Sequence, residues 1–270
     1  MKLYWMLAVF VAANGAAAEV ECLIEPNQTV ELRAPVEGLI EAIHVDRGDR
    51  VKVGQLLVEL DAGVEKAAVE LARFRADATG ALHAAESRVE FTKQKLARAE
   101  GIKRDAISQA DKDQARAEQK LAEGELQQAL EERRMAGLEL RRAEQVSRLK
   151  QLRSPIDGIV SERFHHPGEV TEGGRDEQPI LELIAVDPLY VEVVLPAGAF
   201  GSVAKGQVIS LTQTQPNPRE LKATVRVIDE EFDAATDTFR VRMVLPNPKG
   251  EIVAGGRCSA HIENTPESEP

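Results

Sequence analysis

His165-His166 is the one histidine pair in the sequence and the first place to look for metal chemistry. The pair follows Phe164 and precedes Pro167-Gly168, a strand running into a turn. Neighbouring strand residues project to opposite faces, so two adjacent imidazoles do not converge on one ion. A surface turn is the expected setting. The two cysteines, Cys22 and Cys258, form no C-x-x-C pattern, which argues against structural zinc. Two of the four methionines lie in the first six residues, which leaves no thioether cluster for soft copper or silver ions. No nucleophile elbow, phosphate-cradling glycine loop or paired-carboxylate pocket is present. The expectation is a protein that is not an enzyme, with no catalytic residues, no cofactor-binding residues, no metal ligands and no cofactor.

Composition narrows the field further. A chain of 270 residues has room for two or three modest domains. Aromatic residues make up only 4%, so a large aromatic core is not expected, whereas 29% charged residues suits much solvent-exposed helix. The formal net charge is -11, which argues against nucleic acid as a partner, because phosphate attraction needs clustered Lys and Arg.

The N-terminus reads as an export signal over residues 1–18. Lys2 supplies the positive region, residues 3–13 a short apolar run, and Ala16-Ala17-Ala18 a small-residue cleavage site. Cleavage there would leave Glu19 first. The apolar run is shorter than the roughly 20 residues of a spanning helix, although retention as an anchor is the alternative.

The chain contains an internal repeat. Leu32-Arg33-Ala34-Pro35-Val36-Glu37-Gly38-Leu39-Ile40 matches Leu152-Arg153-Ser154-Pro155-Ile156-Asp157-Gly158-Ile159-Val160, and Gly48-Asp49 stays in register with Gly168-Glu169. Each copy ends in an alternating apolar stretch, residues 55–60 and 179–184, the signature of short strands. Neither half can bury its apolar face alone, so the two should meet as one small β-sandwich.

Between the copies, residues 63–151 hold no proline and are dominated by strong helix formers. Leu71, Ala78, Leu82, Ala85, Val89, Thr92, Leu96 and Ala99 follow a coiled-coil spacing, with Arg75 filling one step. Ala115, Ala122, Ala129, Ala136 and Ala143 recur every seven residues, with Leu126 and Leu140 between them. Ser108 followed by Asp111 reads as a capping box that starts a second helix. One continuous dimeric coiled coil is the alternative. The repeat argues against it, because the insert must begin and end at the same place. A hairpin with arms of about 40 residues, about 60 Å long, is expected.

After residue 187 the alternation returns. Val191, Val193 and Leu195 form one strand; Val225 and Val227 a second; Phe239, Val241, Met243 and Leu245 a third. Turn residues and the lack of long helices point to a small closed barrel over 187–264, with a disordered tail at 265–270.

This order of parts resembles the membrane-fusion-protein (HlyD-like) family of periplasmic adaptors. The resemblance rests on four features. They are the two biotinyl/lipoyl-like half-motifs; Ala106-Ile107-Ser108-Gln109 at the hairpin turn; Asp187-Pro188-Leu189-Tyr190-Val191-Glu192-Val193 with Lys205-Gly206-Gln207; and Thr236-Asp237-Thr238-Phe239-Arg240-Val241-Arg242 with Pro246-Asn247-Pro248. It implies a mixed α and β, elongated fold: a split lipoyl-like β-sandwich (32–62 and 152–186), preceded by an extended segment (19–31), interrupted by a coiled-coil hairpin (63–151) and followed by the barrel. It implies a periplasmic adaptor subunit for efflux that assembles into a ring, a hexamer, between an inner-membrane transporter and an outer-membrane channel. The barrel motifs are most similar to adaptors of the resistance-nodulation-division (RND) class. An exported coiled-coil structural or binding protein without a transporter partner is the alternative. A true lipoyl or biotinyl carrier needs a lysine where the first half-motif ends. Here Asp61 is followed by Ala62, and Lys66 already lies in the helical stretch.

The resemblance also implies two sets of site residues. Family members carry Arg, Leu and Ser around the hairpin tip, where the exit duct is contacted. Arg98 and Ser108 fit that pattern, and Ile102 takes the place of the Leu. Both chain termini return to one end in such adaptors, which makes a disulfide between Cys22 and Cys258 the expectation and two unpaired thiols the alternative.

Overall fold

The structure, a computed structural model, describes residues 18–101, 108–174, 178–215 and 218–262. The expected export signal and the tail therefore lie outside the described residues, apart from Ala18.

The two repeat halves interlock. The first supplies β2 (Gly38–Ile43), β3 (Arg50–Val51) and β4 (Leu56–Leu60); the second supplies β5 (Gln151–Arg153), β6 (Gly158–Arg163) and β7 (Val170–Thr171). Every one of these strands finds a partner in the other half: β4 with β5, β2 with β7, β3 with β6. The exchange is reciprocal. Gly48 donates its amide to the Val160 carbonyl at 2.9 Å, and the matched Gly168 donates to the Ile40 carbonyl at 2.9 Å. Both glycines sit at positive φ, +92° and +93°, which their turns require. Ile40, Val51, Leu57, Leu60, Leu152 and Val160, drawn from both halves, share one buried core. Gly158 has a further reason to be glycine: a Cβ there would lie 2.2 Å from the Ile184 carbonyl oxygen.

Two long strands, β1 (Ala18–Leu32) and β8 (Leu181–Pro196), pair antiparallel along nearly their whole length. Their inner stretches, 28–32 and 181–185, form one wall of the sandwich core, where β8 also pairs with β6. Their outer stretches close a six-stranded barrel in the order β1-β12-β9-β10-β11-β8, with β9 (Val208–Gln213), β10 (Arg219–Ile228), β11 (Thr238–Leu245) and β12 (Arg257–Ile262). The extended segment expected over 19–31 is thus a strand that pairs with β12 in the barrel and runs on beside β8 along the sandwich. Inside the barrel, Leu189, Val191, Val193 and Leu195 of β8 meet Phe239, Val241, Met243 and Leu245 of β11. The expected alternation in β10 fails at Val227. Register slips between Val225 and Val227, leaving Val225 buried and Val227 exposed. Such a bulge places two residues against one and turns the second outwards.

The insert is a helical hairpin whose outgoing arm is broken. It runs as α1 (Gly63–Asp77) and α2 (Gly80–Gly101), and α3 (Gln109–Arg148) returns as one helix of 40 residues. The interface holds Ala72, Leu82, Ala85 and Thr92 against Ala115 and Ala122. Two expected seam residues are not in it: Leu71 and Ala78 are exposed, and Ala72 takes the buried place. The reason lies in the spacing. The inward positions run 69, 72, 76, 79, 82, 85, 89, so three consecutive steps of three interrupt the alternation of three and four. The helix ends where this happens, with Ala78 in an extended conformation at ψ 118°. At the root of the hairpin, Lys150 donates to the Glu37 carbonyl at 2.8 Å and lies 3.5 Å from Glu65, which ties both helix ends to the first half-motif.

Candidate docking site at the hairpin tip

Helix α3 begins with Ser108 in an extended conformation, as an N-cap must be. Its hydroxyl oxygen accepts from the Asp111 amide at 3.2 Å and donates to the Asp111 carboxylate at 2.6 Å. Ser108 is therefore the N-cap read from the sequence, with the Asp111 carboxylate bonded to its hydroxyl rather than to its backbone amide. Asp111 also places negative charge in the first turn, where the helix dipole favours it.

Arg98 lies in the last turn of α2, exposed. Among the described residues its guanidinium has no ion-pair partner, so its fork of donors is available. Ile102 lies outside the described residues. Below the tip, two ion pairs cross between the arms: Arg116 with Glu100 at 2.9 Å and Lys95 with Glu118 at 2.6 Å. The Lys95 ammonium, helped by the Gln114 amide, holds the Glu118 carboxyl below its ordinary range. These pairs fix the arms relative to each other just beneath the tip.

The other residues singled out by type fall elsewhere. Cys22 and Cys258 are direct partners across the β1–β12 ladder, and their sulfurs are bonded. His165 meets a single carboxylate, that of Glu169 at 2.7 Å. Among the described residues, no group of three His, Cys, Asp or Glu is arranged around a metal. Lys66 lies within α1. No helix among the described residues is long and apolar enough to cross a membrane.

Two features escaped the sequence reading. Asn247 is buried, and its side chain donates to the carbonyls of Val186 and Ile252 and accepts from the Ile252 amide. The turn signal Asn247-Pro248 gave its location but not its role. Phe200, Phe232 and Phe239 form an edge-to-face cluster at one end of the barrel, with centroids 5.2–5.9 Å apart. Phe200 lies about thirty residues before the other two, so no local pattern reveals the cluster.

Comparison with known proteins fits this geometry. Residues 28–183 match the family model described as "RND MFP, barrel-sandwich hybrid domain", and residues 188–266 match "CusB-like, beta-barrel domain". The chain belongs to the RND membrane fusion protein family. Among curated relatives it is similar to multidrug resistance protein MdtE of Escherichia coli K12, at 24% identity over 251 residues. That match covers 88% of this chain and 62% of MdtE. It is similar to multidrug resistance protein MdtA of Escherichia coli SMS-3-5 at 25% identity, covering 81% of this chain and 51% of MdtA. The chain thus spans just over half of these relatives' length. In fold it is similar to MacA from Actinobacillus actinomycetemcomitans, with a TM-score of 0.74 at 21% identity, over 92% of this chain and 79% of that one. It is also similar in fold to the membrane fusion protein Spr0693 from Streptococcus pneumoniae R6, with a TM-score of 0.65 at 15% identity, over 92% and 100%.

Proposed function

We propose that this protein is a periplasmic adaptor that connects an inner-membrane efflux transporter of the RND class to an outer-membrane channel, and that it performs no chemistry of its own. The observation that carries this reading is the insertion of a 40-residue-deep hairpin between two interlocked half-motifs, with a closed barrel at the opposite end of β1 and β8. A hairpin arm of that length reaches about 60 Å from its root. A barrel and a distant tip suit contact with two different partners.

In this reading the sandwich (32–62 with 152–186) is lipoyl-like and the insert (63–151) is a coiled coil. Residues 1–18 are a cleaved signal peptide, and the barrel (187–264) faces the pump. Copies assemble as a ring, a hexamer. Arg98, Ile102 and Ser108 form the tip patch that meets the duct, and the Cys22–Cys258 bond secures the barrel.

The test is drug and metal-ion susceptibility of cells carrying Arg98→Asp, with protein level and melting temperature measured alongside. Folding should change by no more than about 0.5 kcal/mol, as for other exposed substitutions. Resistance should be lost. Unchanged resistance, in a strain where deleting the gene abolishes it, would exclude this patch as the docking site. No effect of the deletion on any efflux phenotype would favour an exported binding protein without a transporter.

A further inference from the structure

We propose that the end of the barrel away from the sandwich holds a binding site for a small amphiphilic organic cation, one whose charge sits on an aromatic or branched apolar body. The inference does not depend on the adaptor reading, and the site lies in a different part of the molecule from the hairpin tip.

The site is a cavity of about 900 Å³ between the β10–β11 connection and the last residues of β8. Cavities that take small ligands measure about 300–1,000 Å³. Its place follows from the ladder. Val194 pairs with Arg240 and Pro196 with Thr238, at the opposite end of β8 from the sandwich stretch 181–185. The connection on one side, residues 229–237, is longer than the about two to five residues that close an ordinary hairpin. It contributes Glu231, Phe232 and Asp233 to the lining. Bonds of its own fix its shape: the Asp233 amide donates to the Thr238 carbonyl at 2.8 Å, and the Asp233 carboxylate accepts from the Ala235 amide at 2.9 Å.

Two features of the lining say what it takes. The first is exposed apolar and aromatic surface. Phe232 is 43% exposed and Val194 50%, and both line the cavity together with the buried Phe239. Phe200, itself 52% exposed, braces Phe232 edge to face with centroids 5.2 Å apart. The barrel has no need of Phe200 and Phe232 inside, because its core is already filled by Phe239, Val241, Met243 and Leu245. Aromatic surface left outside among polar groups marks a place of contact, and phenyl faces attract cations.

The second feature is charge. Among the described residues, the lining carries three carboxylates, Asp229, Glu231 and Asp233, and a single guanidinium, that of Arg240. Arg240 is already engaged with Asp229 at 3.2 Å. Glu231 and Asp233 have no ion-pair partner among the described residues, so the cavity keeps an excess of negative charge. A bare metal ion is not the match, because no three acidic, histidine or cysteine side chains converge among the described residues. Spread-out carboxylates beside phenyl rings fit a bulky, weakly hydrated cation instead.

The experiment is calorimetric titration of the purified protein with tetraphenylphosphonium and, separately, with tetraphenylborate, an anion of the same shape. The cation should bind saturably at one site per chain, and the anion at least about tenfold more weakly. Glu231→Gln with Asp233→Asn should weaken the cation by at least about tenfold. The melting temperature should stay unchanged, since an amide oxygen at position 233 can still accept from Ala235. Phe232→Ala should weaken binding too. Phe232→Leu keeps apolar volume against Phe239 and should fold normally while still binding less well, for want of a ring. Glu131→Gln with Glu132→Gln removes the same charge from α3 and should change nothing. No saturable binding into the millimolar range, equal affinity for the two ions, or an equal loss from the α3 change and the cavity change would each overturn the proposal. So would self-association that Phe232→Ala abolishes, because a second copy of the chain would then be what covers the rings.

Discussion

Asn247 donates its backbone amide to the Asp187 carboxylate at 2.8 Å, joining the turn before β12 to the middle of β8. The Asn247 side chain completes the joint with three further bonds to Val186 and Ile252. Two segments that read separately as turn signals are therefore one structural unit. Asn247→Leu would leave the Ile252 amide and two carbonyls without partners in a buried place. The expected loss is about 1–3 kcal/mol, read as a lower midpoint in urea denaturation. Asp187→Ala removes one bond at the same joint and should cost less.

The bonded pair Cys22 and Cys258 closes most of the chain into one loop, with a sequence separation of 236. In the chain-entropy model a loop of this size stabilises by about 5 kcal/mol. Cys22→Ala with Cys258→Ala should therefore lower the melting temperature clearly. Thiol counting on unreduced, denatured protein should give none. Two free thiols would refute the bridge.

Gly158→Ala is the severe test of the sandwich. The added methyl would meet the Ile184 carbonyl at 2.2 Å, and backbone on both sides has no room to give. A loss of more than about 3 kcal/mol, or no folded protein, is expected. Gly48→Ala is the control: it meets open space and suffers only from its positive φ, so about 1 kcal/mol is expected. Equal melting temperatures for the two variants would contradict the close approach.

Stability should fall in acid for a definable reason. The His165 imidazole, with the His166 amide, holds the Glu169 carboxyl below the ordinary value of 4.5, and Lys95 does the same for Glu118. Both groups are depressed in the folded state. Their contribution is therefore complete above the unfolded value and is lost as pH falls through the folded one. The window lies below about pH 4.5. Glu169→Gln and Glu118→Gln should each flatten the decline of melting temperature with acid, and leave the curve above pH 6 parallel to wild type.

Much of this architecture was legible because it is periodic or repeated. The half-motifs carry their own alignment, so a shared sandwich and an inserted hairpin followed from Pro35, Gly38 and Gly48 recurring as Pro155, Gly158 and Gly168. The cap at Ser108 is a local signal and was read correctly. Leu71 was misread because α1 carries two apolar stripes, one inward through Ala72 and one outward through Leu71. The outward one has the larger side chains. The pairing of β1 with β8 is not readable, since its partners lie from 149 residues apart, at Leu32 and Leu181, to 171 apart, at Cys22 and Val193, and Asn247 has no local pattern that gives its role.

The continuity of β1 and β8 has a mechanical consequence. The two strands are tie rods: a load applied at the barrel reaches the sandwich through two covalent backbones bonded to each other, rather than across a soft linker. Their ladder is interrupted at one level, where register slips between Pro26 and Gln28 opposite Val186-Asp187-Pro188. Asn247 clamps that level from outside through Val186 and Asp187. Bending between barrel and sandwich is therefore confined to one narrow waist, stiffened by a single asparagine. The hairpin, by contrast, has its own joint at Ala78, where only α3 runs through unbroken.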